Sequence, residues 1–275
     1  MLDRGLIPTN AGGSSMPPPL PRHPMIIEAL LYLATVPLTT RPHRKFIRYS
    51  VNLWSRAGRC RKAWAEHEAK SKRAILDRMA DLRQRRTAVV LGSGLLRDVP
   101  IEALAKSFDT VVLVDLVHLA SVRLWLKVKG LGNVRLIERD LSGYNWLGSG
   151  EPPEPLRFLR NVPYLDLVVS ANLLSQIGRG ASRRLEAEPH GKMPDNAVER
   201  LIDAHLEGLA ALPCRSCLVT DVAFKVIDRT GKIHEEADLL YGRMPAAIRD
   251  RWTWPVAPIG EESPEYQIVH DVIAM

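Results

Sequence analysis

The stretch Thr87-Ala88-Val89-Val90-Leu91-Gly92-Ser93-Gly94-Leu95-Leu96-Arg97-Asp98 decides the fold. Five β-prone residues closed by Gly-x-Gly read as a short buried strand that turns sharply at its carboxyl end. The same kind of run recurs at 110–114, 134–137, 165–169 and 217–220, and the segments between suit helices. One of them, 196–212, carries Val198, Leu201, Ile202, His205, Leu206 and Leu209 along a single stripe. Continuously apolar strands alternating with helices predict a parallel sheet covered on both faces. After the fifth run, 252–256 and 266–273 flank Gly260 and Pro264 and predict a closing antiparallel hairpin. The polar segment 148–155 reads as a surface loop.

Upstream of Thr87 the rhythm is helical. Apolar residues recur at spacings of three and four over 25–33 and 45–82, with a slip near Gly58, so residues 25–86 are expected to form a helical cap of at least two helices. Residues 1–24, with Gly12-Gly13 and Pro17-Pro18-Pro19, are expected from composition to be a flexible segment. The division is thus 1–24, a basic cap at 25–86, and an α/β domain at 87–275.

With 46% hydrophobic and 25% charged residues, the chain of 275 residues is excluded from the wholly disordered class. Three cysteines form no disulfide framework and fit a reducing, cytoplasmic compartment. The apolar stretch 25–38 is interrupted by Glu28 and Pro37 and falls short of the roughly 20 residues of a membrane span. No transmembrane segment is expected, while a weak membrane contact by 25–36 stays open. Residues 1–24, with Arg4, Arg22 and six prolines, do not match a signal peptide, so export is not expected. Between Arg41 and Arg86 stand fifteen Lys or Arg against four acids, whereas the whole chain carries only +7. The positive field is therefore local, and it fits either a solvated helix face or phosphate-bearing partners.

In an open parallel sheet, ligands bind beyond the carboxyl ends of the strands where strand order reverses. Gly92, Ser93 and Gly94 follow the first strand and let a ligand approach the backbone. Asp115 ends the second, where a carboxylate can take both hydroxyls of a ribose; helix capping is its alternative role. Arg139-Asp140-Leu141 follows the third, and Ser170-Ala171-Asn172-Leu173-Leu174 the fourth.

On these four segments the sequence resembles the class I S-adenosylmethionine-dependent methyltransferases over about residues 87 to 275. The resemblance implies a seven-stranded, mostly parallel sheet with helices on both faces and an antiparallel C-terminal strand, here preceded by the helical cap. It implies S-adenosylmethionine as cofactor, with Gly92, Ser93 and Gly94 around the methionine portion and Asp115 with Leu116 at the ribose. Asp140 and Leu141 would hold the adenine, and Asn172 would line the opening toward the acceptor. Val90 stands where the family usually has an acid and Leu96 where it often has a third glycine; Asp98 or Arg73 would then serve the amino acid end. His67 to Arg73 is also similar, over a short stretch, to the helix preceding the core in ribosomal-RNA methyltransferases of aminoglycoside resistance.

The acceptor is a small molecule or an RNA; for RNA, Arg56, Arg59, Arg61 and Lys62 would track the backbone. A non-catalytic nucleoside- or nucleic-acid-binding protein on a degenerate methyltransferase fold is the alternative. Arg97 stands where a dinucleotide-binding loop wants glycine, which disfavours a dehydrogenase. Cys214 and Cys217 form a lone Cys-x-x-Cys and no metal site is expected. His205 reads as a packed core histidine, Trp252 and Trp254 as neighbours on one strand face. His190 and Asp221 are acceptor-side candidates.

Overall fold

The computed structural model describes residues 25–147, 151–187 and 196–275. The five apolar runs become β1 (Thr87–Leu91), β2 (Thr110–Asp115), β3 (Val134–Glu138), β4 (Leu165–Ala171) and β5 (Arg215–Asp228). All five pair in parallel, and β8 (Tyr266–Ala274) runs antiparallel between β5 and β7 (Asp250–Ala257). The path across the sheet is β3-β2-β1-β4-β5-β8-β7, so strand order reverses between β1 and β4.

Burial explains why β1 lacks polar alternation. Ala88 and Val90 enter one core layer while Val89 and Leu91 enter the other, and all four are fully buried. Helices α4 (Ile101–Ser107) and α5 (Ala120–Val128) cover the first face. The second is covered by α6 (Leu174–Ala187) and α7 (Ala197–Ala210), the latter burying Val198, Leu201, Ile202, His205 and Leu209. His205 is a core histidine, its Nε2 2.9 Å from Ser170 Oγ; burial lowers its pKa to about 4.

Four local features differ from the sequence expectation. An eighth strand, β6 (Ile233–Asp238), pairs antiparallel with the far half of β5, which continues well beyond residue 220. Asp221 therefore lies inside a strand and not past its end. The cap breaks at Cys60, between α2 (Ile47–Arg59) and α3 (Arg61–Met79), because Gly58 is tolerated within the last turn of α2. Helix α4 starts only at Ile101, so the glycines of the first loop are followed by turns and not directly by a helix N-terminus. Finally, Asp115 does not cap α5, whose N-cap is Leu119.

The cap helices meet the domain differently. Helix α3 lies against β7, β5 and β4 and buries Trp64, His67, Ser71, Ile75 and Met79. Helix α1 (Met25–Thr35) contacts α2 and α5 and buries only Thr35. Its carboxyl end is pinned: Thr35 Oγ1 accepts the Ala120 amide at 3.1 Å, and Glu138 Oε2 accepts the Thr40 amide and hydroxyl, each at 2.8 Å. Residues 1–24 and His190 lie outside the described residues.

Candidate functional site

The strand tips are tied to one another by backbone. Gly92 N–H donates to Val114 O (2.9 Å), Arg139 N–H to Asp115 O (2.9 Å), and Asn172 N–H to Val219 O (2.8 Å). The loop after β1 is thereby laid across the tips of β2 and β4. Gly92 has φ +72°, and a Cβ there would stand 2.9 Å from both Ala171 O and Leu173 Cβ, so only glycine fits. Gly94 has φ +50°, with nothing but Gly92 O, at 3.9 Å, near the place of a Cβ. Leu96 occupies the place of the missing third glycine and still adopts a left-handed backbone, φ +60°, with its side chain 7% exposed. Burial of the leucine holds a conformation that would otherwise favour glycine.

Asp115 is fixed from both sides. Its Oδ2 accepts the Gly94 amide and its Oδ1 the Leu116 amide, each at 2.7 Å. Each oxygen keeps a second lone pair for another donor. Asp140 closes a turn on the Ser142 amide (2.9 Å), while Leu141 is buried in the second core layer. Ser93 Oγ is buried without a hydrogen-bond partner.

Asn172, at φ +49°, forms the centre of a polar cluster on the other side of the loop. Its Nδ2 is 2.5 Å from Asp98 Oδ2 and 3.2 Å from His67 Nε2, and its Oδ1 is buried without a partner. His67 Nδ1 accepts the Trp252 indole proton (3.1 Å), so the neutral ring carries its own proton on Nε2. Burial lowers the His67 pKa to about 4, which keeps the ring neutral, and burial raises that of Asp98. As drawn, Asn172 Nδ2 donates to Asp98 Oδ2, and turning the carboxamide over would present its oxygen to the His67 Nε2–H instead.

The cluster continues through stacked rings. His67 lies parallel to Trp254 at 3.9 Å between centroids, and Trp64 meets Trp254 edge-on at 5.2 Å. Beyond Trp254, His270 Nδ1 is 2.7 Å from Asp221 Oδ2, which also receives the Ser175 hydroxyl at 3.3 Å. Burial pushes the Asp221 pKa up, but the attraction of His270 and its hydrogen bond outweigh it and the net shift is downward. The bond to Asp221 fixes the orientation of the His270 ring, whose Nε2 is buried without a hydrogen-bond partner.

Arg73 is not brought to the tips. It sits on the outer face of α3, its side chain 77% exposed, 3.3 Å from Asp77. The residue α3 sends to Asn172 is His67, one place along the stripe of Trp64, Ser71 and Ile75. That spacing, a histidine three residues after a buried tryptophan, is the signal in the sequence that points to it. Asp221 and His270 come together only by antiparallel pairing of β5 with β8, which no local pattern reveals.

Beside the loop lies a cleft of about 820 Å³, walled by Ile27, Trp54, Leu95, Leu96, Val122 and Trp125 with charged residues around them. Asp115, Asp140 and Asn172 are not in its wall; Leu95 to Arg97 connect it to the strand tips. Arg97 pairs with Glu68 at 2.6 Å, holding this loop to α3. Arg59 grips Glu261 through Nε and Nη2, and Arg56 pairs with Glu262.

No family model matches the chain, and no curated protein sequence does. Among solved structures, the N-methyltransferase NodS of Bradyrhizobium japonicum WM9 in complex with S-adenosyl-L-homocysteine is similar at 14% identity, covering 75% of this chain and 85% of its own, with a TM-score of 0.37. The 1,6-didemethyltoxoflavin-N1-methyltransferase of Burkholderia thailandensis is similar at 15% identity over 85% of this chain and 90% of its own, with a TM-score of 0.38. A 23S rRNA methyltransferase, ErmE, is similar at 16% identity over 72% and 65%, with a TM-score of 0.29. The strand order carries the assignment of the fold. The chain has a Rossmann-like α/β fold with the mostly parallel sheet and antiparallel last strand that the sequence resemblance implies. It departs from the seven-stranded form by the added strand β6.

Proposed function

We propose that this protein is an S-adenosylmethionine-dependent methyltransferase. The observation that carries the reading is the convergence of the glycine loop, Asp115 and Asn172 at the reversal between β1 and β4. The residues present fit an adenosyl group on three counts: the open side of Gly94, the spare lone pairs of Asp115, and the unpartnered hydroxyl of Ser93. Gly92 to Gly94 would receive the methionine portion, Asp115 with Leu116 the ribose, and Asp140 with Leu141 the adenine. Asn172 would line the opening toward the acceptor.

When bound, the cofactor supplies an electrophilic methyl whose carbon–sulfur bond breaks as a bond to the acceptor forms. The chain's contribution is chiefly alignment, which by itself can supply much of the acceleration. Asp98 and His67 hold the Asn172 carboxamide at the tip of β4, and the cap helices exclude water from the loop. Arg73, paired with Asp77 on the outer face of α3, takes no part in this arrangement, and Asp98 remains as the group near the amino acid end.

The acceptor is read as a small molecule entering by the cleft beside Leu95 to Arg97. Two of the four cations suited to RNA, Arg56 and Arg59, are already occupied by Glu261 and Glu262, which leaves Arg61 and Lys62 exposed. A second reading, a nucleoside-binding protein without catalysis, draws support from Val90, fully buried where the family carries an acid.

Isothermal titration with S-adenosylmethionine and S-adenosylhomocysteine tests the proposal. Binding is expected for the parent chain and an affinity at least about tenfold lower for Asp115→Ala, the loss of one charge-assisted contact. A folded parent that gives no heat with either compound, or an Asp115→Ala protein that binds as tightly as the parent, overturns the assignment.

A further inference from the structure

Helix α1 offers the solvent an apolar surface. Met25, Ile26, Leu30 and Leu33 are each 60% exposed or more, and Leu38 just beyond is 46% exposed. The surface continues onto α5, which contacts α1 and exposes Leu124 (62%), Trp125 (36%) and Val128 (76%). Ile27 of α1 and Trp125 of α5 also line the cleft. A helix of 11 residues is about 16 Å long, too short to span a bilayer, and no helix among the described residues is long and apolar enough to do so. Exposed apolar area of this extent marks a surface that something covers.

Charge identifies what covers it. Between residues 25 and 65 Glu28 is the sole acid, against eight Lys or Arg, and α5 has no acid at all. Glu28 is turned inward and receives the Ser55 hydroxyl. Arg41, Lys45 and Arg48 follow α1 and are exposed, as is Lys127 near the end of α5, while the exposed Lys129 beside it pairs with Glu102. Tyr32, Tyr49 and Trp125 on the same elements are partly exposed. Exposed apolar side chains on α1 and α5, in a stretch of chain whose exposed charges are mostly cations, match an anionic bilayer surface.

We propose that the face formed by α1 and α5 docks on an anionic lipid bilayer, α1 lying in the interface with Met25, Ile26, Leu30 and Leu33 among the acyl chains. Arg41, Lys45 and Arg48 meet the phosphate headgroups. The inference does not depend on the proposed chemistry, since none of these residues belongs to the strand tips.

Co-sedimentation of the full chain with vesicles tests it. The parent is expected to sediment with vesicles of phosphatidylglycerol and phosphatidylcholine, to bind phosphatidylcholine alone more weakly, and to be released in part by salt. Leu30→Ser with Leu33→Ser lowers partitioning by about tenfold or more. Arg41→Gln, Lys45→Gln and Arg48→Gln together remove the preference for the anionic vesicles. Should the double variant fail to fold, Val128→Ser on α5 gives the same readout. A folded parent that stays in the supernatant overturns the proposal, as does equal binding by parent and variants. A dimer in sedimentation velocity that Leu30→Ser with Leu33→Ser abolishes, with no uptake by vesicles, assigns the face to a second copy and likewise overturns it.

Discussion

Helices α1 and α3 lie in the same basic segment, yet α3 buries five residues against the sheet while α1 buries one. Helix α3 is far more polar along its sequence, yet it is the one that packs on β7, β5 and β4. Trp64 donates its indole proton to Val256 O at 3.2 Å, His67 reaches Asn172, and Ile75 is fully buried. Apolar content therefore does not locate the core; what decides is which stripe a neighbouring element can cover.

Acid should expose the contrast most. His67 on α3 and His205 on α7 both have folded pKa values of about 4, below the 6.5 of an unfolded histidine. A base with a depressed folded pKa contributes stability that is complete above pH 6.5 and is lost as pH falls toward 4. The two together should reduce unfolding free energy by about 5 kcal/mol between pH 7 and pH 4.5, read from urea titrations at each pH. A flat profile over that window would break the assignment of both rings as buried and neutral. Helix α1 carries no histidine and contributes nothing to this loss.

Truncation gives the next largest difference. Trp64→Ala should cost about 4 kcal/mol, through lost packing on Trp254 and an unpaired Val256 carbonyl. Leu30→Ser with Leu33→Ser should change stability by no more than about 0.5 kcal/mol per site, since both side chains are already in water. Thermal or urea unfolding compares the two directly, and a destabilised α1 variant would mean that α1 is packed more closely than its exposure indicates.

Much of this molecule was legible in order along the chain. The five parallel strands, the closing hairpin and the glycine loop were all readable because a strand buried on both faces must be apolar throughout and a left-handed turn favours glycine. The sequence also placed Asp115, Asp140 and Asn172 on strand-end loops, where the fold presents them. It did not disclose β6, because its residues are exposed and polar in part and owe their conformation to pairing with β5. Nor did it place Arg73, since residues six apart on a helix point in different directions and only the packing of α3 selects His67.

The amino-acid order by itself determined the layered α/β architecture and the loops that face a ligand, because burial periodicity and backbone sterics act locally. Tertiary structure alone decided the pairs Asn172 with His67, Asp221 with His270, and Arg59 with Glu261. Each joins residues 49 or more apart in the chain. Which distant polar groups share a buried site depends on how sheets and helices stack, and no local preference encodes that geometry.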